Sequence, residues 1–340
     1  MTDGNAAYRY SNTVVLSVTA LEAPVVVTSD QIDDELSGTL ERLRLRRGML
    51  QRIAGIRERR WWPDDVSFVD AAVTAGAKAL SEAGVDAHDV GLLINTSVSR
   101  AHLEPSTAVA VHHSLGLPQT ALNFDIANAC LGFVNGMQVA ANMIDAGQIR
   151  YALVVAGECS RQAQQATIDR LRGPRTTRAD VRDQFATLTL GSGAAAMVLA
   201  AADAHPDGHR LIGGVSRAAT QHHELCVGDH TRMRTDAKGL LDAGLELAEA
   251  TWAHVGPWDW QKMDLYVMHQ VSVAHTRGVV DRLGLDPARV PVTFPLLGNV
   301  GPASLPLTLA QNADSLSPGE RVLCMGVGSG LNTCALEIVW

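Results

Sequence analysis

The sequence predicts an α/β protein whose sheets carry helices on both faces. Three observations support this: short apolar runs with no polar alternation, helical segments between them, and the same order of elements in two successive halves. A strand with one wet face alternates apolar and polar residues. Runs such as GLLINT (91–96) and YALVVA (151–156) do not alternate, so both of their faces must be covered.

Residues 1–12 read as a loose start and 14–18 as the first strand. Residues 29–60 read as a charge-rich helical stretch holding eight arginines: Arg42, Arg44, Arg46, Arg47, Arg52, Arg57, Arg59 and Arg60. Helical spacing over 70–83 stops at Gly84, a residue that closes helices in the left-handed conformation. After the strand 91–96, Glu104 and Pro105 open a helix that runs to Leu115, because proline costs nothing in a first helical turn. A strand at 122–126 leads through a short turn to Cys130 and a helix over 131–146. The strand 151–156 follows, then a polar excursion over 160–187 and a closing strand at 194–201.

Residues 203–209 (DAHPDGH) mark the internal boundary, dividing the chain into halves 1–202 and 203–340. The second half predicts a helix over 237–254, a strand at 265–268, and a helix over 272–283 ending at Gly284. A strand near 290–293 leads to a turn at Gly298–Asn299, and a helix over 302–313 follows. The last two strands, 321–325 and 333–339, are joined by the glycine-rich turn GVGSG (326–330). In such sheets the chemistry collects at the carboxyl ends of strands. Cys130, His269 and Asn299 each sit just after a predicted strand.

Composition narrows the function. A length of 340 residues calls for two cores or one large layered unit. Aromatics make up 4% against many Ala, Val, Leu and Gly, which favours close packing of helices on sheets. A net charge of −8 argues against a general nucleic-acid binder. The three lysines, Lys78, Lys238 and Lys262, leave few candidates for Schiff-base chemistry. Five cysteines without a CxxC pair suggest neither a disulfide framework nor a zinc site, and His222, His223, Glu224 and Cys226 lack metal-ligand spacing. Without a leader or an 18-residue apolar run, the expected protein is cytoplasmic with no membrane span.

Taken singly, the candidate residues have ordinary explanations. Cys130, in NACLGF, sits where helix N–H groups would favour a thiolate, yet buried structural cysteines are common. His269, in MHQVS, is either a core histidine or a partner to a thiol. Asn299, in GNVGPAS, is either a turn residue or an amide that polarises a thioester carbonyl. The GVGSG backbone presents N–H groups that, with the Cys130 N–H, would form an oxyanion hole.

Together these motifs resemble the thiolase superfamily, in its ketoacyl synthase III branch. The resemblance runs from about residue 12 to Trp340, and the GIRER segment (55–59) and the YALVV strand fit it too. It implies a five-layered αβαβα thiolase fold of two similar halves, a homodimer, and a Cys130–His269–Asn299 triad. The oxyanion hole falls on the amides of Cys130 and Ser329. No cofactor and no metal are called for.

Within that branch the stretch INTSVSRAHLEPSTA (94–108) is similar to enzymes that condense two long-chain acyl-CoA molecules head to head, the first step of long-chain olefin biosynthesis. Ordinary ketoacyl synthases III usually place an apolar residue where Glu104 stands. A malonyl donor loses CO₂ and makes its own enolate, whereas a plain acyl-CoA keeps an α-proton that a base must remove. The resemblance implies Glu104 as that base, reaching into the partner subunit's site, with a 2-alkyl-3-oxo acid as product and downstream olefin-pathway enzymes as partners. The ordinary alternative for Glu104 is a first-turn carboxylate favoured by the helix dipole.

The arginine-rich stretch 42–60 is either a docking surface for CoA phosphates or a solvated face. Trp61 and Trp62 receive no role. The GSGAAA stretch (191–196) departs from relatives that carry an aspartate before the glycine. Three rival readings remain. A degradative thiolase would need a second cysteine where Val327 stands, and Cys324 lies three residues too early. A decarboxylative 3-oxoacyl synthase III would use a malonyl donor. A non-catalytic partner subunit would lack the nucleophile.

Overall fold

The structure is a computed structural model that describes residues 4–229 and 232–340. In chain order the strands are β1 (Ala6–Arg9), β2 (Thr13–Glu22), β3 (Val25–Thr28), β4 (Glu58–Trp61), β5 (Leu92–Asn95), β6 (Leu122–Asp125) and β7 (Tyr151–Glu158). They continue as β8 (Gly193–Ala201), β9 (His209–Ala218), β10 (Cys226–Gly228), β11 (Met233–Thr235), β12 (Leu265–Met268), β13 (Arg321–Gly328) and β14 (Asn332–Val339). In the first half β6, β5 and β7 run parallel, and β8 and β2 join antiparallel. The second half repeats this: β12 and β13 are parallel, and β14 and β9 join antiparallel. A two-residue pairing of β2 with β9 makes the two sheets continuous. The link 203–209 lies between β8 and β9.

Side-chain alternation reveals five layers. On β7, Ala152, Val154 and Ala156 face one core while Leu153 and Val155 face another. On β13, Val322 and Cys324 share the first of these cores, and Leu323 faces a third. The shared core holds Phe133, Met137 and Ile144 of the helix Gly132–Asp145, with Leu305, Leu307 and Leu309 of the helix Ser304–Asn312. Those two helices are therefore the central layer between the sheets. The helix Phe68–Ala83 covers the outside of the first sheet, and Ala237–Trp252 and Val273–Leu283 cover the second. This is the five-layered thiolase arrangement expected from the motifs. The alanine-rich face of Phe68–Ala83 (Ala71, Ala72, Ala75, Ala79) lets its backbone approach the sheet. A Cβ on Gly157 would fall 2.1 Å from the Phe68 carbonyl oxygen.

Several local expectations fail for identifiable reasons. The start is not loose throughout: Ala6–Arg9 pairs with β9, so the first strand joins the second half's sheet, while residues 1–3 of the expected loose start lie outside the described residues. Residues 290–293 form no strand, leaving the second sheet without a counterpart of β6. The glycine-rich turn is shorter than expected, because Gly326–Gly328 belong to β13. Residues 58–60 are strand rather than helix. Nor is 160–187 a bare excursion. Ile168 and Leu171 of the helix Arg161–Leu171, with Val181 and Leu188, bury a small core against Ile32, Leu36, Leu40 and Trp61. Its apolar residues are one turn apart among arginines, a sparse signal in one sequence. Among the described residues, no helix is long and apolar enough to cross a membrane.

Candidate active site

Cys130 sits in a turn between β6 and the helix Gly132–Asp145. Ala129, just before it, holds φ +46°, the left-handed region that L-residues avoid. The turn is held by Leu131 N–H to the Asn128 carbonyl (3.0 Å) and Gly132 N–H to the Ala129 carbonyl (3.2 Å). An amide chain braces it from behind: Asn332 Nδ2 donates to Asn128 Oδ1 (3.3 Å), Asn128 Nδ2 to Asn135 Oδ1 (2.7 Å), and Asn135 Nδ2 to Gln138 Oε1 (2.7 Å).

The end of β13 lies directly on this turn. A Cβ on Gly328 would meet the Asn128 carbonyl at 2.8 Å and Leu131 Cβ at 3.0 Å; one on Gly326 would meet Leu131 Cδ1 at 2.5 Å. The glycines thus serve close approach, which packs the end of β13 on the turn that carries Cys130. His269 follows β12, and its N–H donates to the Met325 carbonyl of neighbouring β13 (3.0 Å). The imidazole is buried, and its Nδ1 has no partner among the described residues. His275, six residues along and near enough to act on His269, also carries a buried Nδ1 with no partner among the described residues.

Asn299 is fixed on three sides. Its N–H donates to the Thr189 carbonyl (2.9 Å), its carbonyl accepts from Gly191 N–H (2.8 Å), and its Oδ1 accepts from Gly301 N–H (2.9 Å). With Oδ1 committed, the Nδ2 group is the free end, and the Asn299 side chain is near enough to Cys130 to lower its thiol slightly. The GSG stretch at 191–193 now has a role: Gly191 packs on the segment that carries Asn299. A Cβ there would fall 1.8 Å from the Leu297 carbonyl oxygen. Gly191→Ala is therefore expected to destabilise the fold by about 1–3 kcal/mol, the usual overpacking cost. It should also displace Asn299, so urea denaturation and condensation rate should fall together.

Electrostatics corrects one expectation. The Cys130 environment does not favour a thiolate. Burial, followed by the nearby Glu158 carboxylate, pushes the thiol up to about 12, against weaker help from its own N–H and the Asn299 amide. Burial likewise pushes His269 down to about 3, so its imidazole is neutral. The resting pair is thiol and imidazole, and deprotonation must accompany attack. Alkylation of Cys130 by iodoacetamide should accordingly rise about tenfold per pH unit from 7 to 9 without a plateau, since only the thiolate reacts. A rate already level at pH 7 would contradict this environment.

Glu104 stands apart. It is exposed on the loop 98–106, and among the described residues it makes no hydrogen bond or ion pair. The expected helix from Glu104 begins later, at Thr107. Its first N–H groups, of Thr107 and Ala108, go to the Asp125 carboxylate (3.0 and 2.9 Å), so Asp125 fills the helix-start role weighed for Glu104. The structure sets the Asn299 amide near Cys130 and packs the end of β13 on the Cys130 turn, with His269 tied to β13 from neighbouring β12. Asn299 does not follow a strand as expected, since residues 290–293 form none and the helix Phe294–Leu297 precedes its turn. Glu104 lies outside this group within one chain.

Sequence reasoning missed Glu158. This last residue of β7 is buried near Cys130, and burial raises its carboxyl to about 7. An acidic residue ending an otherwise apolar strand was the available signal. The arginine stretch also changes meaning. Arg59 is fully buried and donates to the Val27 carbonyl, Ser29 Oγ and the Leu188 carbonyl, so it cannot meet a phosphate. Arg60 pairs with Glu58 (2.9 Å) and Arg47 with Asp34. Arg44, Arg46 and Arg57 remain exposed. Trp61 and Trp62 are buried, and their indole N–H groups donate to Gln164 Oε1 and the Glu158 carbonyl; they pack. Cys324 is a core residue between the sheets, which further removes it from the second-cysteine role of a degradative thiolase.

Comparison with known proteins places this geometry. The family model for 3-oxoacyl-[acyl-carrier-protein] synthase III matches residues 124–170, and that for its C-terminal region matches 256–340. The chain is 43% identical to the acyl-CoA:acyl-CoA alkyltransferase of Xanthomonas campestris, over 97% of the chain and 99% of that protein. It is 37% identical to the acyl-CoA:acyl-CoA alkyltransferase of Shewanella oneidensis, over 98% of the chain and all of that protein. A crystal structure of a cysteine-substituted Xanthomonas campestris OleA with bound lauric acid and lauroyl-CoA superposes with a TM-score of 0.95 at 42% identity, covering 97% of this chain and 100% of that one.

Proposed function

The chain belongs to the 3-oxoacyl synthase III family of thiolase-fold enzymes, and from that premise we propose that it joins two long-chain acyl-CoA molecules in a non-decarboxylative Claisen condensation. The observation that carries this reading is full-length similarity to acyl-CoA:acyl-CoA alkyltransferases, together with the Cys130 thiol near the Asn299 amide. The reaction has three steps. Cys130 takes the acyl group of a first acyl-CoA and releases CoA. A second acyl-CoA enters, and Glu104 removes its α-proton. The carbanion attacks the Cys130 thioester and breaks its carbon–sulfur bond; the Cys130 sulfur leaves and regains a proton, and the β-ketoacyl-CoA formed yields a 2-alkyl-3-oxo acid and CoA on hydrolysis.

Each role follows from the local chemistry. The amides of Cys130 and Ser329 stabilise the oxyanion formed on the first acyl group. Neutral His269 and the Asn299 Nδ2 group donate to the enolate oxygen of the second. Burial leaves neutral His269 too weakly basic to remove the α-proton, and a carboxylate takes that task.

A homodimer supplies the place for Glu104. Strand β6 is a sheet edge with unpaired backbone groups, and beside it Val98, Leu103, Val109 and Leu122 are exposed, Leu103 by 91%. An open edge next to exposed apolar side chains is stable when another chain covers it. Glu104 lies within this surface and would enter the partner's site on pairing. Incubation with myristoyl-CoA alone tests the reaction. A β-keto acid or ketone containing both chains supports it; product formed only with malonyl-carrier protein, with CO₂ released, would establish the decarboxylative rival.

A further inference from the structure

Glu158 has no part in the chemistry above, yet it is a buried carboxylate between Cys130 and the loop that carries Glu104. Its oxygens are fully engaged with that loop's first residues. Val98 N–H donates to Oε1 (2.6 Å), while Ser99 N–H (3.1 Å) and Ser99 Oγ (2.7 Å) donate to Oε2. The Ser99 hydroxyl in turn accepts from Cys159 N–H (3.0 Å), closing a clasp between strand and loop. On its other side Glu158 touches the Asn299 turn, since a Cβ on Gly301 would lie 3.5 Å from the Glu158 carboxyl carbon.

The far end of the loop is clasped in the same way. Asp125 accepts the N–H groups of Thr107 and Ala108, accepts from Asn95 Nδ2 (3.0 Å), and pairs with Arg100 Nε (3.5 Å). Arg100 Nη1 donates to the Ser97 and Ser99 carbonyls. Two carboxylates, one at each end, thus fix a loop whose middle is otherwise exposed.

We propose that Glu158 is a positioning residue for proton removal: by holding Val98 and Ser99 it sets the place of Glu104, and so serves coupling rather than acylation. The proposal rests on the reading of Glu104 as the base. Because that base acts across the dimer, Glu158 of one protomer serves the thioester on its partner. Glu158 in its charged form also pushes the Cys130 thiol up, so its removal acts on the two half-reactions with opposite signs. Removing the Glu158 charge takes a negative group away from the Cys130 sulfur, which leaves acylation undiminished or faster. Glutamine keeps an acceptor for Val98 N–H but presents an NH₂ group to Ser99 N–H, so the loop shifts.

For Glu158→Gln the expected result is unchanged or faster Cys130 acylation by myristoyl-CoA, read by mass spectrometry. Coupling should be about tenfold to a hundredfold slower, the loss that displacing a reacting group by about an ångström produces. Ser99→Ala, a milder cut of the same clasp, should give a smaller loss in the same direction. Mixed dimers then separate positioning from local damage. With Cys130→Ala and Glu158→Gln on one protomer and a wild-type partner, coupling should fall. With Cys130→Ala on one protomer and Glu158→Gln on the other, it should be retained. Equal loss in both, or a pattern opposite to that of Glu104→Ala in the same pairings, overturns the proposal. The same pairings made with Glu104→Ala test the underlying reading: if Glu104 proves to act within its own protomer, the cross-dimer reading fails, and Glu158 must then follow Glu104's pattern or be rejected separately.

Discussion

Cys130→Ala should leave no acyl adduct on the protein and slow condensation by on the order of 10⁵–10⁶-fold, the scale of losing a covalent nucleophile. Without the thiol there is no enzyme-bound thioester for the carbanion to attack, and the first acyl chain is held only by its pocket. The oxyanion amides and the base remain, so a small residual rate over solution is expected. The other cysteines supply controls. Cys324 and Cys334 are fully buried, and burial raises both thiols, so replacing either should leave the adduct on Cys130. Mass spectrometry of the intact protein after mixing with myristoyl-CoA reads the result. An adduct that persists in Cys130→Ala would remove the nucleophile from this account.

Glu104→Ala should separate the two half-reactions. Acylation of Cys130 should continue within about twofold, because transfer of the first acyl group to the thiol removes no α-proton. Coupling should fall by about 10²–10⁴-fold, the usual contribution of a general base. Other groups near the thioester are poorly suited to replace it. His269 is held neutral and weakly basic by burial, and the Glu158 oxygens are occupied by Val98 and Ser99. Exchange of the α-hydrogens of a second acyl-CoA into deuterated solvent gives an independent readout and should be lost along with coupling. Persistent exchange in Glu104→Ala would rule out this assignment and make Glu158 the next carboxylate to examine.

The sequence by itself determined the layered α/β class, most strand positions and the placement of Cys130 and His269 just after strands. Continuous apolar runs admit only strands covered on both faces, and Gly84 and Gly284 end their helices in the left-handed conformation as read. Those features are local: a few neighbouring residues carry the physical cause. Tertiary structure alone decided three further matters. It placed Cys130 where burial, and then Glu158, 28 positions away in the chain, push its thiol up. It showed that Arg59 is a buried tie between segments and not a phosphate ligand, since its partners lie on Val27, Ser29 and Leu188. And it moved Glu104 out of a helix onto a loop held by two distant carboxylates. Desolvation and long-range hydrogen bonds belong to residues brought together by the fold, so no window of sequence contains them.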